Sequence, residues 1–306
     1  MISLVPSVYR GRFAPSPTGP LHFGSLVAAL GSYLDARANC GEWLVRMEDV
    51  DQPRCVAGAD GQILKTLDAF GFKWQGEVMV QSNRTERYRA AFDQLRANGF
   101  IFPCACTRKQ LAGGATAIDG GQIYGGRCRN GLRNGGKARA WRVRVGDDDI
   151  KFDDTIQGRI TQQLQRDVGD FVVLRADGLF AYQLAVVVDD TDQQITHVVR
   201  GADLIDSTPR QIYLQRLLGL ASPGYAHLPV AVDSSGVKLS KQSLAAPVVA
   251  AQPLRALLAA WRFLGQVWGD EAAPGDLREF WLNAIRDWEI DRVPAQRQMP
   301  APVYSR

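Results

Sequence analysis

The sequence predicts an α/β fold built on a parallel sheet covered by helices. Strand-like and helix-spaced apolar patterns alternate through the first hundred residues, and the alternation resumes from Tyr182. Between them lies a segment of different character, rich in glycine and holding three of the five cysteines. Such alternation favours parallel strands joined by helical crossovers.

Arg10 to Phe13 reads as a short strand, and Leu26, Leu30, Tyr33, Leu34 and Arg37 follow helical spacing. Trp43 to Met47 reads as a strand, and helices follow at Ile63, Leu64, Leu67 and Phe70 and at Tyr88, Phe92 and Leu95. In ARAWRVRV, Trp141, Val143 and Val145 alternate with Arg142 and Arg144, the pattern of a half-buried antiparallel strand. Asp177-Gly178 reads as a hairpin turn. The apolar run Leu184 to Val188 and the run Ile195 to Val199 are strand candidates. Thr208-Pro209 predicts an N-cap with proline at the first helical position, opening a helix through Leu218. Ala245 to Pro253 reads as a linker or a helix start, 254–290 as Leu- and Trp-rich helix, and 291–306 as a loose tail.

The bulk numbers exclude several classes. At 306 residues, 46% hydrophobic and 22% charged, the chain has the composition of a globular protein. A net charge of +4 suits an anionic partner without demanding one. No apolar run approaches the roughly 18 residues of a membrane span. MISLVPSVYRGRF lacks the basic start and long apolar core of a secretory signal, so a cytoplasmic location is expected. Cys40, Cys55, Cys104, Cys106 and Cys128 then point to metal ligation or plain burial, not to a disulfide framework.

The chemistry starts at RFAPSPTGPLHFGS, residues 12–25. A helix N-terminus offers unpaired N–H groups and partial positive charge, which attract phosphate. Gly24 lets a ligand approach the backbone, His22 can donate a hydrogen bond to a phosphate oxygen, and Pro15, Pro17 and Pro20 stiffen the loop. The plainer reading is a helix entry after a strand that prolines terminate. More than two hundred residues later, Lys238-Leu239-Ser240-Lys241-Gln242 follows a Ser-Ser-Gly turn. Two lysines three apart on a short loop can clamp a triphosphate as charge builds on departing pyrophosphate, although most such pairs are merely solvated.

Together, HFGS and KLSKQ resemble the HIGH and KMSKS signatures of class I aminoacyl-tRNA synthetases. LVRMEDVDQPR (44–54) and ITHVVRGADL (195–204) narrow the resemblance to the glutamyl branch, over about residues 10 to 243. Ser25 stands where the signature has a second histidine, and Leu239 and Gln242 where it has methionine and serine. The resemblance implies a Rossmann-type catalytic domain at 1–102 and 180–243. It is split by a zinc-bearing α+β insertion at 103–179 and followed by a short helical stem and tail at 244–306. It implies ATP binding by His22, Gly24, Ser25, Lys238, Leu239, Ser240, Lys241 and Gln242, with magnesium on the phosphates and His22 and Lys241 catalytic. Strand ends of an open α/β sheet are the expected place for such a ligand.

A glutamate substrate carries one ammonium and two carboxylates. Glu48, ending its strand, can hold the ammonium, and Arg12 can pair bidentately with a carboxylate, as lysine cannot. The resemblance implies a pocket of Arg12, Phe13, Ala14, Pro15, Ser16, Glu48, Tyr182 and Arg200, the last two read as near strand ends. Asp49 and Asp51 read better as positioning Arg54 or holding loop structure than as pocket residues.

Cys104 and Cys106, then Cys128 about twenty residues on, make a zinc-knuckle pattern in a segment too glycine-rich to fold by packing. Histidine occurs only at 22, 197 and 227, so the fourth ligand is Tyr124 or water. Zinc-bearing glutamyl-branch members resemble this Cys-x-Cys…Tyr-x-x-x-Cys layout. The alternative is three buried thiols. Such a zinc would be structural.

Only residues 243–306 follow the lysine loop, too few for an anticodon-reading body. In that respect the chain resembles the stand-alone paralogues of the glutamyl catalytic core. These activate L-glutamate with ATP without tRNA and esterify the cyclopentenediol of queuosine in the anticodon loop of tRNA(Asp). Single-stranded loops offer splayed bases for recognition, and Arg127, Arg129, Arg133, Arg139, Arg142 and Arg144 can meet phosphate. A monomer is expected. The rival readings are a truncated glutamyl-tRNA synthetase charging tRNA(Glu) and a non-catalytic RNA-binding module on a decayed synthetase fold.

Overall fold

The computed structural model describes residues 8–111, 114–132, 136–239, 246–268 and 273–302. Its first half runs β1 (Arg10–Phe13), α1 (Phe23–Ala38), β2 (Glu42–Met47), α2 (Ala59–Ala69), β3 (Met79–Val80), α3 (Thr85–Ala97) and β4 (Ile101–Cys104). The middle adds α4 (Arg108–Leu111), β5 (Ala140–Val143), β6 (Asp149–Asp154), β7 (Gly158–Gln163), α5 (Leu164–Asp167) and β8 (Val172–Leu174). The rest runs α6 (Tyr182–Asp192), β9 (His197–Gly201), α7 (Thr208–Leu218), β10 (Gly224–Leu228), β11 (Val230–Val232), α8 (Pro253–Phe263), α9 (Leu277–Asp287) and β12 (Gln298–Pro300).

The predicted parallel sheet is present. β1, β2 and β3 pair in parallel, as do β9 and β10. The two groups meet where the Thr196 N–H donates to Arg10 O at 3.0 Å and the Arg10 N–H to Thr196 Oγ1 at 2.8 Å. β6, from the middle segment, lies beside β10 in parallel through Asp154 and Tyr225, and β7 returns antiparallel to β6. β5 lies antiparallel between β4 and β8, as ARAWRVRV predicts.

α1 carries the weight of the first core. Leu26, Leu30 and Leu34 are fully buried with Trp43 and Val45 of β2 beneath them. Its outer side is covered too. Phe23 meets Phe263 of α8 edge-on at 5.6 Å, Tyr33 meets Trp281 of α9 at 4.9 Å, and Trp288 Nε1–H donates to the buried Asp35. A Cβ on Gly31 would sit 2.6 Å from Leu228, so α1 lies directly on β10 there.

Three expectations change. Leu184–Val188 is helix, within α6, not strand. A short all-apolar run cannot distinguish a buried strand from a buried helix, and α6 is enclosed over nearly its whole length. Tyr182 therefore opens a helix and does not end a strand. The α7 cap is Ser207, with Thr208 already helical and Pro209 in the first turn. The tail is not loose throughout, because Gln298–Pro300 pairs with Val230–Val232.

Because Leu30 is fully buried, Leu30→Ala is expected to lower unfolding free energy by about 2–5 kcal/mol. Urea titration followed by circular dichroism measures it. A loss well under about 1 kcal/mol contradicts this packing.

Candidate functional site

The strand ends and the first helix open onto a cleft of about 1080 Å³. Arg12, Phe13, Ala14, Pro15, Ser16, Glu48, Tyr182 and Arg200 all line it, as do His22, Gly24, Ser25, Lys238 and Leu239. Ser240, Lys241 and Gln242 lie outside the described residues.

The two signature stretches lie side by side. A Cβ on Gly24 would meet the His22 ring at 3.3 Å and the Leu239 carbonyl oxygen at 3.4 Å, so the first turn of α1 touches the start of the lysine loop. Leu239 N–H bonds to Ala231 O, and Val248 N–H to Leu21 O, tying the chain on both sides of the lysine loop to the sheet and the histidine turn. His22 caps α1: its Nδ1 accepts from the Ser25 N–H at 3.3 Å. An accepting Nδ1 leaves the ring proton on Nε2, which lies 3.1 Å from Ser25 Oγ. Ser25, where the signature has its second histidine, thus orients the first. Lys238 pairs with Asp203 at the cleft edge.

Deeper lies an ion cluster that sequence reasoning found only in part. Arg12 does make the bidentate carboxylate pairing expected of it, but with Asp190, at 3.2 and 3.4 Å. Arg46 bridges Asp190 (2.8 Å) and Glu48 (3.1 Å). Burial works against charge on Asp190, yet Arg12 and Arg46 hold its carboxyl below the ordinary range. Burial raises Glu48 despite Arg46 and Arg12. These four side chains are balanced, two positive and two negative. The missed members, Arg46 and Asp190, had a signal: a charged residue in strand EWLVRM and a carboxylate closing the apolar run VVVDD. As read, Asp51 pairs with Arg54 (3.1 Å), and Asp49 accepts from the Ser82 N–H (2.8 Å). Asp51 also meets Arg175 across the cleft.

Arg200 differs. It is 5% exposed, and among the described residues it makes no ion pair. Its guanidinium donates to His227 Nε2 (3.1 Å), Tyr182 Oη (3.4 Å), Thr208 Oγ1 (2.8 Å) and Gln211 Oε1 (2.8 Å), all neutral. A buried cation held by neutral groups at a cleft wall is built to receive an anion.

In the middle segment, the Sγ atoms of Cys104, Cys106 and Cys128 lie within 4.8 Å of one another. Cys106 and Cys128 are 3.7 Å apart, and Tyr124 Oη is 3.7 Å from Cys104 and 3.8 Å from Cys106. Tetrahedral sulfurs on a zinc at about 2.3 Å would be separated by about 3.8 Å. Burial and the neighbouring Cys128 push the Cys106 thiol up to about 11, whereas, against burial, the Cys106 N–H and Arg142 hold Cys104 below its ordinary value. The donor set fits a soft tetrahedral ion with Tyr124 at the fourth corner. Cys40 and Cys55 lie outside this cluster and form no disulfide.

The arginines read as phosphate contacts divide. Arg129 pairs with Asp170, Arg142 bonds Asp170 O and lies over the Tyr124 ring at 4.2 Å, and Arg144 bonds Arg129 O. Those three brace the cysteine segment instead. Arg127 and Arg139 are exposed, and Arg133 lies outside the described residues.

The family described as tRNA synthetases class I (E and Q), catalytic domain, matches residues 8–253. The chain belongs to that family. Within the family it groups with proteins named glutamyl-Q tRNA(Asp) synthetase. One from Dechloromonas aromatica is 58% identical over 97% of this chain and 99% of its own. One from Aromatoleum aromaticum is 58% identical over 96% and 93%. A solved glutamate-tRNA synthetase from Elizabethkingia anophelis shares the fold, with a TM-score of 0.80 at 24% identity over 97% of this chain and 68% of that one. Among the described residues no helix is long and apolar enough to cross a membrane.

In this class I domain the support behind Arg200 is itself titratable. Burial, and secondarily Arg200, bring His227 from its ordinary 6.5 down to about 4, against the pull of Asp154. The unfolded chain therefore takes up the His227 proton first as pH falls. Stability from this site is full above about 6.5 and declines to about 4, at up to about 1.4 kcal/mol per pH unit. Melting temperatures across that window are expected to fall on acidification, and less steeply in His227→Gln. Equal slopes in both proteins would contradict the neutral, buried ring.

Proposed function

We propose that this chain is a ligase that activates L-glutamate with ATP, without RNA, and then esterifies the queuosine cyclopentenediol in the anticodon loop of tRNA(Asp). Family membership and the names of the relatives support the reaction class. The observation that carries the substrate is Arg200, a buried cation that among the described residues has no direct carboxylate partner, on the same cleft as Tyr182, Arg12 and Glu48. It suits a carboxylate of glutamate, while Glu48 suits its ammonium. Glutamine lacks the side-chain charge that Arg200 calls for, and a hydrogen-bonding site rejects such analogues strongly.

In the first step a glutamate α-carboxylate oxygen attacks the α-phosphorus of ATP, and the bond to pyrophosphate breaks. The α1 N-terminus, His22, Gly24 and Ser25 face one side of the nucleotide. Lys238 and Leu239 face the other, and Ser240, Lys241 and Gln242, outside the described residues, are assigned to the same phosphates by the signature, with Lys241 taking the charge developing on pyrophosphate. Magnesium entering with ATP neutralises its phosphates. In the second step a diol oxygen attacks the adenylate carbonyl, AMP leaves, and a phosphate oxygen takes the proton. We divide the chain into a catalytic domain at 1–102 and 180–243, an insertion at 103–179, and a C-terminal stem at 244–306. Zinc on Cys104, Cys106, Cys128 and Tyr124 holds the insertion and takes no part in the reaction.

Pyrophosphate exchange with glutamate is expected without any RNA, and labelled glutamate is expected to pass to tRNA(Asp) only when queuosine is present. Exchange that waits for tRNA(Glu), with charging of its 3′ end, would favour the truncated tRNA(Glu)-charging enzyme. Absence of both activities would favour an RNA-binding module. Metal analysis is expected to find about one zinc per chain, and Cys104→Ala should lower it. An unchanged metal count overturns the zinc assignment.

A further inference from the structure

Behind Arg200 stands a buried chain of groups that the two-step reaction does not use. Asp154 ends β6, His227 lies in β10, and both side chains are fully enclosed. Asp154 Oδ2 lies 2.5 Å from His227 Nδ1. Asp154 Oδ1 accepts three backbone N–H groups, from Ile156 (3.1 Å), Gln157 (2.8 Å) and His227 itself (3.1 Å). On the far side of the ring, Nε2 accepts from Arg200 Nε at 3.1 Å, with Thr208 Oγ1 3.2 Å away.

Only one arrangement of protons satisfies these contacts. A carboxylate facing Nδ1 requires the proton on Nδ1. The bare Nε2 is then an acceptor for Arg200, which has only donors. We infer that Asp154 and His227 are positioning residues for glutamate recognition. Asp154 fixes the His227 tautomer, Nε2 anchors the Arg200 Nε edge, Thr208 and Gln211 hold Nη2, and Nη1 is thereby aimed at Tyr182 on the cleft lining. This rests on the reading of Arg200 as the ligand of a glutamate carboxylate. It also gives the middle segment a role in the amino-acid pocket, because Asp154 belongs to that segment and His227 to the catalytic sheet.

Asp154→Asn isolates the idea because it keeps the shape. Three N–H donors face Oδ1, so the new amide must place its oxygen there and its NH₂ where Oδ2 was. The NH₂ then donates to Nδ1, and the ring proton moves to Nε2. Thr208 Oγ1 can accept that proton, so the ring stays in place. Arg200 Nε is left facing a donor.

The experiment measures glutamate-dependent pyrophosphate exchange of the full chain, wild type against Asp154→Asn and Arg200→Lys. In Asp154→Asn the KM for glutamate is expected to rise about 10- to 100-fold, as for loss of one hydrogen bond to a charged group. The KM for ATP and kcat at saturating glutamate should change by less than about threefold. A purely structural role would lower the melting temperature and leave the ratio of the two KM values unchanged, which overturns the inference. If Arg200→Lys leaves the KM for glutamate unchanged, the site reading has failed. If Arg200→Lys raises it and Asp154→Asn does not, the tautomer relay alone has failed. Should Asp154→Asn not fold, the imidazole ¹⁵N shifts of the wild-type protein decide: Nδ1 protonation supports the relay and Nε2 protonation ends it.

Discussion

A guanidinium taken out of water without a carboxylate partner stays charged and waits for one, and Arg200 is in that condition. Its neighbours solve two problems. Neutral acceptors satisfy its N–H groups, so the cation survives burial. None of them is a carboxylate, and the nearest anion on that side, Asp154, stands behind the His227 ring, so the guanidinium has no direct anionic partner at the cleft wall. Next to it, Arg12, Arg46, Glu48 and Asp190 form a balanced set. A ligand with one net negative charge therefore finds one place where its charge is needed, and charged groups around it already locked by their own pairing. Preorganisation of this kind is what a site needs to discriminate at low entropic loss.

The nucleotide end of the cleft is organised by backbone rather than by charge. The Leu239 carbonyl lies against Gly24 in the first turn of α1, and hydrogen bonds at Leu239 and Val248 fasten the chain on both sides of the lysine loop. α1 is in turn clamped from outside by α8 and α9, through Phe263, Trp281 and Trp288. The C-terminal helices thus bear on the helix that presents His22. Two of the C-terminal tryptophans, Trp281 and Trp288, make that clamp.

The cysteine segment shows how a charged residue can be misread from pattern alone. Alternation in ARAWRVRV makes Arg142 and Arg144 look solvent-facing. The glycine-rich loop folds back over that face, so Arg142 lies on the Tyr124 ring and both arginines bond backbone carbonyls. Three of the six candidate phosphate contacts are used this way, holding the segment where glycine-rich sequence provides little apolar packing.

The sequence by itself determined the α/β class and two strands and three helices of the first hundred residues, because strand and helix periodicities are local properties, and its short motifs, through the family resemblance, named many of the residues lining the cleft. It also determined the cysteine cluster, whose ligands lie close along the chain. Only the tertiary structure decided that Leu184–Val188 is helix, since a run buried on all sides carries no periodicity. Only it showed that Arg12 is already paired with Asp190 while Arg200 is not, and that Asp154 and His227, 73 positions apart, share a hydrogen bond. Which charges cancel depends on distances between distant parts of the chain, and those are set by packing rather than by neighbours in sequence.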